Sequence, residues 1–132
     1  MRLKKLFMKP KKFKLDVIYN DSGELICDNS KNIPYPCKRV FCVRSANGEK
    51  RGHHGHKTQS QTMICLYGKI AIEYIHGDIS ERIVLEPYEA FYAPPRTWAV
   101  QEYVNDNNLL MVLCSGDYDP SDYIHDLKDL NS

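Results

Sequence analysis

Two histidines, two positions apart, are the residues of this chain whose type and spacing best suit chemistry. They lie within residues 51–57, RGHHGHK, which hold three of the five histidines in the sequence. On an extended strand His54 and His56 point to the same face, while His53 and Lys57 point to the other. Paired imidazoles can bind a metal ion or move protons near neutral pH. The segment therefore predicts a functional site, and both chemistries are open at this point.

Polar side chains flank the pair. Arg51 precedes it, and Gln59 and Gln61 follow within five residues of His56. Buried polar groups need hydrogen-bond partners, so the core of a β-protein does not hold such a concentration without a function. We therefore expect these groups to belong to a site and not to a packed core.

The elements that must position this site have the pattern of an all-β protein. Asn47-Gly48 and His76-Gly77-Asp78 are typical hairpin turns, and Pro94-Pro95 ends a strand. Short strands at this spacing, with no helices alternating between them, favour a sandwich or barrel over a doubly wound sheet. Beyond the histidine segment, the predicted strands are residues 39–43, 62–66, 69–75, 79–85, 90–93, 97–104 and 109–114.

The two ends of the chain differ from this pattern. One short helix is predicted over residues 119–130, because Asp119 can cap it and Pro120 suits its first position. Its apolar face is formed by Tyr123, Leu127 and Leu130. At the other end, residues 1–18 form a basic arm that can pair with a neighbouring subunit as a strand or fold back on its own barrel.

Length and composition exclude several classes of protein. The 132 residues predict one domain over the whole chain, and a net charge of +1 argues against a nucleic-acid partner. No apolar run approaches a membrane span, and no signal peptide is recognised, so neither a membrane partner nor export is expected. Five cysteines without a CxxC pair predict reduced thiols and a cytoplasmic location.

The histidine segment resembles the first motif of the cupin superfamily, in which the H-x-H pair is followed by a glutamate and later by a third histidine. Ser60-Gln61 stands where that glutamate is expected, and Ala99 stands where that histidine is expected. Transition-metal sites need three or four protein ligands, and two are missing here. The sequence therefore predicts a metal-independent site that requires no cofactor and works by proton transfer.

A closer resemblance, over roughly residues 20 to 130, is to the sugar-nucleotide 3,4-ketoisomerases, small cupins that act on dTDP-4-keto-6-deoxyglucose. It implies a jelly-roll barrel, a homodimer with exchanged N-terminal strands, and proton transfer at His54 and His56. The product would serve the synthesis of a dTDP-3-amino-3,6-dideoxyhexose. The matching segments are Lys31-Asn-Ile-Pro34, Lys38-Arg39-Val40-Phe41, RGHHGHK, Tyr92, Trp98, Asp117-Tyr118-Asp119 and Ser121-Asp122-Tyr123-Ile124.

The resemblance also gives expectations for the residues that bind the sugar nucleotide. Guanidinium groups match phosphate oxygens, so two arginines are expected to bind the diphosphate. Aromatic rings are expected at the base or sugar, and polar groups at the enediolate. The expected binding residues are Arg39 and Arg51, then Tyr92 and Trp98, then Lys57 and Gln61.

Three departures from the family pattern accompany these expectations. The arginine common in the first turn is absent from Asn20-Asp21-Ser22-Gly23, Gly55 replaces the usual alanine between the histidines, and Ala99 replaces a histidine. Two alternative functions stay open. One is a 3,5-epimerase of the same sugar nucleotide, and the other is a sugar-nucleotide-binding cupin without catalysis.

Overall fold

The computed structural model describes residues 9–132, and within that range the chain is built from short strands. The β-branched and aromatic residues that favour a pleated backbone are concentrated in them. In chain order they are β1 (Lys11–Lys14), β2 (Asp16–Asn20), β3 (Gly23–Cys27), β4 (Arg39–Val43), β5 (Lys50–His56), β6 (Gln61–Tyr67), β7 (Ile70–His76), β8 (Ile79–Leu85), β9 (Glu89–Ala93), β10 (Trp98–Tyr103), β11 (Leu109–Cys114) and β12 (Tyr123–Ile124).

Ten of these strands form two five-stranded sheets. The first has the order β1-β9-β6-β11-β4, the second has the order β12-β5-β10-β7-β8, and every pairing is antiparallel. Strands β2 and β3 form a separate hairpin. Strands adjacent in a sheet are mostly distant in sequence, as in a jelly roll. The predicted all-β jelly-roll barrel is confirmed.

Side chains that alternate along the strands fill the space between the sheets. Along β10 and β11 every second residue is buried, which is the pattern of a strand with one face on a core. Ile70, Ile72, Leu85, Phe91 and Leu110 are each at most 1% exposed. Each such side chain stabilises the fold by roughly 1.5–3 kcal/mol. This core fixes the register of the strands that carry the polar residues.

The predicted strands agree with the observed ones, and residues 39–43, 79–85 and 109–114 agree at both ends. The N-terminal region differs from the prediction, because the expected arm contains strand β1 and most of strand β2. Strand β1 is KKFK, in which only Phe13 is buried, and it pairs with β9 of the same chain. The first eight residues of the expected arm lie outside the described range. Exchange of the arm between subunits stays a prediction.

The predicted helix over residues 119–130 is wrong. Asp119 does accept a hydrogen bond from the Ser121 amide, and Pro120 does begin a helical turn, but the turn ends at Asp122. Tyr123–Ile124 then pairs with Gly55 and His56 as β12. Tertiary hydrogen bonds therefore override the local helical signals. A second 3₁₀ turn spans Leu127–Asp129, and no helix of residues 9–132 has the length and apolarity that crossing a membrane requires.

Candidate active site

A bulge in β5 brings the side chains of Arg51, His54 and His56 to one face of the strand. Arg51 pairs with Gln101 and His54 pairs with Ala99, and the register shifts between these two pairs. Gly52 and His53 both have left-handed φ angles, of 94° and 59°. The extra residue reverses the side-chain alternation, so that Arg51 lies on the same inner face as His54.

Glycine is required at the bulge. A Cβ at Gly52 would lie 2.7 Å from the Ala99 carbonyl oxygen and 2.6 Å from Gln101 Oε1. Any side chain would therefore force β5 away from β10, and it would also be strained at this φ angle. The bulged residue, His53, is exposed, as expected for a histidine outside the site.

His54 and His56 face each other inside the barrel. Their ring centroids are 5.1 Å apart and the rings meet edge to face. His54 Nδ1 lies 3.0 Å from the Gly52 carbonyl oxygen, which can only accept a hydrogen bond. Nδ1 therefore carries the proton in neutral His54, and Nε2 presents its lone pair. His56 is only 6% exposed, and its buried Nε2 has no hydrogen-bond partner among residues 9–132.

Burial sets the protonation of the pair. Desolvation and the nearby His54 lower the pKa of His56 to about 4, and Arg39 also lowers it, whereas the Asp122 carboxylate raises it. Desolvation likewise lowers the pKa of His54, although the hydrogen bond to Gly52 opposes the effect. Both rings are therefore neutral at pH 7 and can accept a proton.

His54 opens onto a cavity of about 200 Å³ between the two sheets, and His56 lies beside His54 in a smaller adjoining pocket. Arg51 and Gln61 lie in the wall of the larger cavity, as does Gln101 of β10. The Arg39 guanidinium lies 5.2 Å from the ring of Phe41, another wall residue, and its Nε is buried without a partner in the described part of the chain. The remaining wall is mostly apolar, formed by Val43, Met63, Tyr103, Leu110, Val112 and Tyr123.

Three of the expected binding residues are not brought to this cavity. Trp98 alternates with the inward-facing Ala99 on β10, so it lies in a groove on the outer face of the second sheet. Tyr92 alternates with Phe91 on β9 and belongs to the apolar cluster on the outer face of the first sheet. Lys57 follows His56 and is exposed in a groove beside the C-terminal segment. Arg51 and Gln61 line the cavity, and Arg39 lies over the wall residue Phe41 without being part of the wall itself. Substrate binding by these three residues stays a prediction.

Tyr123 is a site residue that the sequence analysis did not identify. Its ring centroid lies 4.8 Å from that of His54 and 4.6 Å from that of His56, and it lines the cavity. It had been expected to pack the C-terminal helix. The DYDPSDYI segment belongs to the family resemblance, but only the pairing of β12 with β5 shows that it covers the histidines. Gln101 was missed as well, because β10 reads as an ordinary strand.

The donor set favours acid–base chemistry over metal binding. Among residues 9–132 no cluster of three or more histidine, cysteine, aspartate or glutamate side chains is placed to hold a metal ion. Two neutral imidazoles in a partly apolar cavity, with two arginines and two carboxamides around them, suit proton transfer on a polar, anionic substrate.

Comparisons with known proteins agree with this arrangement. The family model for FdtA, described as WxcM-like, C-terminal, matches residues 8–132. A TDP-4-oxo-6-deoxy-α-D-glucose-3,4-oxoisomerase from Aneurinibacillus thermoaerophilus is 34% identical over 110 residues, which cover 81% of this chain and 79% of that protein.

Two solved structures are similar over most of their length. The sugar 3,4-ketoisomerase from Thermoanaerobacterium thermosaccharolyticum, in complex with TDP, has a TM-score of 0.82 and 30% identity, covering 92% of this chain and 90% of that one. A variant of that enzyme holds TDP-4-keto-6-deoxyglucose. A 3,4-ketoisomerase from Helicobacter canadensis has a TM-score of 0.84 and 27% identity, covering 95% of this chain and 99% of that one.

Proposed function

Because the chain belongs to the FdtA family of 3,4-ketoisomerases, we propose that it moves the keto group of dTDP-4-keto-6-deoxyglucose from C4 to C3 by proton transfer between the sugar and two histidines. The observation that carries this proposal is the inward-facing pair His54 and His56, with centroids 5.1 Å apart. The substrate is the sugar nucleotide that the Thermoanaerobacterium relative holds.

The reaction needs two proton movements. The proton on C3 is removed and a proton is delivered to C4, while the proton of the C3 hydroxyl passes to the C4 oxygen through an enediol. One imidazole carries the carbon-bound proton, and the other relays the proton between the two oxygens. Both rings are neutral at pH 7 because burial lowers their pKa values, so each can accept a proton and return it. No redox group is required, since the two carbons exchange oxidation states.

We expect the two glutamines of the cavity to stabilise the enediol. Gln61 Nε2 lies 3.5 Å from the Cys114 sulfur, and Gln101 Nε2 lies 3.4 Å from the Met63 sulfur. Sulfur is a weak hydrogen-bond acceptor, so the carboxamides give up little hydrogen-bond energy when their N–H groups donate to substrate oxygens instead. A buried carboxamide that donates to a developing oxyanion favours the transition state over the bound ketone.

The arginines supply the charge for the nucleotide half of the substrate. Arg51 lines the cavity, and Arg39 is held over the rings of Phe41 and Tyr118, with centroid distances of 5.2 and 5.5 Å. No salt bridge of residues 9–132 uses either guanidinium. Both are therefore free to form bidentate hydrogen bonds with a diphosphate.

Proton NMR of the wild-type protein with dTDP-4-keto-6-deoxyglucose tests the function. We expect a 3-keto product, with exchange of solvent deuterium confined to C3 and C4. Deuterium at C5, or an epimerised product, would make the protein a 3,5-epimerase. A substrate that stays unchanged while its resonances broaden on binding would make it a non-catalytic sugar-nucleotide-binding cupin. Either result rejects the proposal.

We also propose that the protein acts as a homodimer. The β2–β3 hairpin stands apart from both sheets and exposes apolar side chains on each of its faces. Ile18 and Leu25 form a cross-strand pair and are 50% and 57% exposed, and Tyr19 on the opposite face is 72% exposed. A second copy of the chain, packed against this hairpin, would cover them and remove the edge of the hairpin.

Light scattering after size exclusion tests the dimer. We expect twice the chain mass of 15.3 kDa for the wild type, and dissociation when Ile18→Ser and Leu25→Ser are combined. Tyr67→Ser is the matched control, because Tyr67 is similarly exposed at 54% but lies at the end of β6, outside the hairpin. A monomeric wild type rejects the dimer, and a double variant that stays dimeric rejects the hairpin as its interface. The cytoplasmic location expected from the cysteines stays a prediction.

A further inference from the structure

A buried carboxylate lies next to the histidine strand without touching the cavity. Asp122 is only 6% exposed, and three donors from the turn after β5 satisfy it. The Thr58 amide donates to Oδ1 at 3.0 Å, the Thr58 hydroxyl donates to Oδ1 at 2.6 Å, and the Gln59 amide donates to Oδ2 at 3.1 Å. A buried charge is costly unless it is fully hydrogen-bonded, so this turn and this side chain hold each other in place.

The residues joined by these hydrogen bonds are close in sequence to two residues of the site, His56 and Tyr123. His56 is two residues before Thr58, and Tyr123 immediately follows Asp122. The Lys57 amide also donates to the Asp122 carbonyl oxygen at 2.8 Å. The next residue pair in register is Tyr123 with His56. The Asp122 carboxylate therefore fixes the point from which β12 lays its tyrosine ring over both imidazoles.

The same carboxylate contributes charge to the site. The groups that face His56 are His54, Arg39, Asp122 and the Tyr123 ring. His54 and Arg39 disfavour a positive charge on His56, and burial does so most strongly, whereas Asp122 favours it. Asp122 therefore opposes the groups that make His56 a poor proton acceptor.

We propose that Asp122 is a positioning residue for the isomerase. It ties the C-terminal segment to the turn after β5, so that Tyr123 holds the imidazoles of His54 and His56 in the geometry needed for proton transfer. This inference rests on the proposed role of the two histidines. Misplacement of a reacting group by about 1 Å can cost on the order of 100-fold in rate, so this tie affects kcat more than substrate binding.

Kinetics of Asp122→Asn tests the proposal, with Asp119→Asn as the matched control. Asp119 lies in the same segment and also accepts hydrogen bonds from a backbone amide and a hydroxyl, but it is exposed and both donors belong to Ser121 of its own turn, not to the turn after β5. We expect Asp122→Asn to lower kcat about 10- to 100-fold with KM changed less than about threefold. We expect Asp119→Asn to keep both constants near wild type.

Thr58→Val provides a second variant, since it removes the 2.6 Å hydrogen bond and keeps the carboxylate. We expect a smaller fall in kcat in the same direction. Wild-type kcat in both Asp122→Asn and Thr58→Val, or an equal fall in Asp119→Asn, overturns the proposal. So does a rise in KM without loss of kcat.

A readout that needs no turnover separates this inference from the proposed function. The Tyr123 ring lies 4.6–4.8 Å from both imidazoles, so it shifts their ring-proton NMR signals. In Asp122→Asn these signals should move toward the positions of an exposed histidine, and in Asp119→Asn they should not move. Unchanged signals in Asp122→Asn reject the positioning role even if the protein proves inactive on the sugar nucleotide. If the signals do shift in Asp122→Asn but the wild-type protein shows no turnover, the positioning role stands and only the proposed reaction is rejected.

Discussion

Acidification destabilises the fold through His56. The pKa of His56 falls from its ordinary value of 6.5 to about 4 in the folded chain, chiefly because the ring is buried. Between these two values the unfolded chain binds a proton that the folded chain does not bind. The contribution of His56 to stability is therefore complete above pH 6.5 and is lost as the pH falls toward 4. The loss is about 2 kcal/mol at pH 5 and about 3 kcal/mol in full.

Urea unfolding of the wild type and of His56→Gln, at pH 7 and at pH 5, measures this contribution. Glutamine keeps a polar side chain of similar length but does not titrate. For a slope of about 1–3 kcal/mol per molar urea, the wild-type midpoint should fall by about 1 M more than that of His56→Gln. Protein concentration is held fixed, because dimerisation shifts the midpoint. The exposed His53 gives the control, His53→Asn, which should follow the wild type. If the urea midpoints of wild type and His56→Gln fall equally between pH 7 and pH 5, the His56 imidazole is not held neutral by burial.

Three further outcomes follow from the placement of the remaining residues, and steady-state kinetics checks each of them. Arg51→Leu should raise KM about 10-fold or more with a smaller effect on kcat, since a hydrogen bond between charged groups contributes about 1.5–3 kcal/mol; an unchanged KM would remove Arg51 from the binding site. Lys57→Ala should leave KM within about twofold of the wild-type value, because this side chain lies outside the cavity; a large rise in KM would show that Lys57 contacts the substrate. Prolonged treatment with EDTA should leave turnover unchanged, because two imidazoles are an incomplete ligand set for a transition metal, and a loss that added zinc restores would contradict a metal-independent reaction.

The strands were predictable because their side chains alternate and their turns have distinctive residues. Residues 79–85 lie between His76-Gly77-Asp78 and Glu86-Pro87, and both ends of that strand were correct. The shared face of His54 and His56 followed from their spacing, and the polar residues around them indicated that this face carries a site. Gly52 gives a sequence signal for the bulge, but a glycine in a strand does not state which neighbour is displaced. Arg51 reaches the cavity through that displacement.

The errors arose where tertiary contacts decide the local structure. Asp119 and Pro120 gave correct signals for a helical turn, yet the buried hydrogen bonds of Asp122 end it after one turn. Trp98 and Ala99 are neighbours on β10, and only the register of that strand determines which of them points inward. Tyr123 entered the site for the same reason, through its pairing with His56.

Turnover by histidine variants tests the role of the pair most directly. The variants are His54→Asn and His56→Asn, with His53→Asn as a control on the same strand, and the 3-keto product is followed by proton NMR after circular dichroism has confirmed the fold. We expect both cavity variants to lose about 10²- to 10⁴-fold in kcat, as is usual for an acid–base group, and the control to keep wild-type turnover. Wild-type turnover in either cavity variant would contradict proton transfer by His54 and His56.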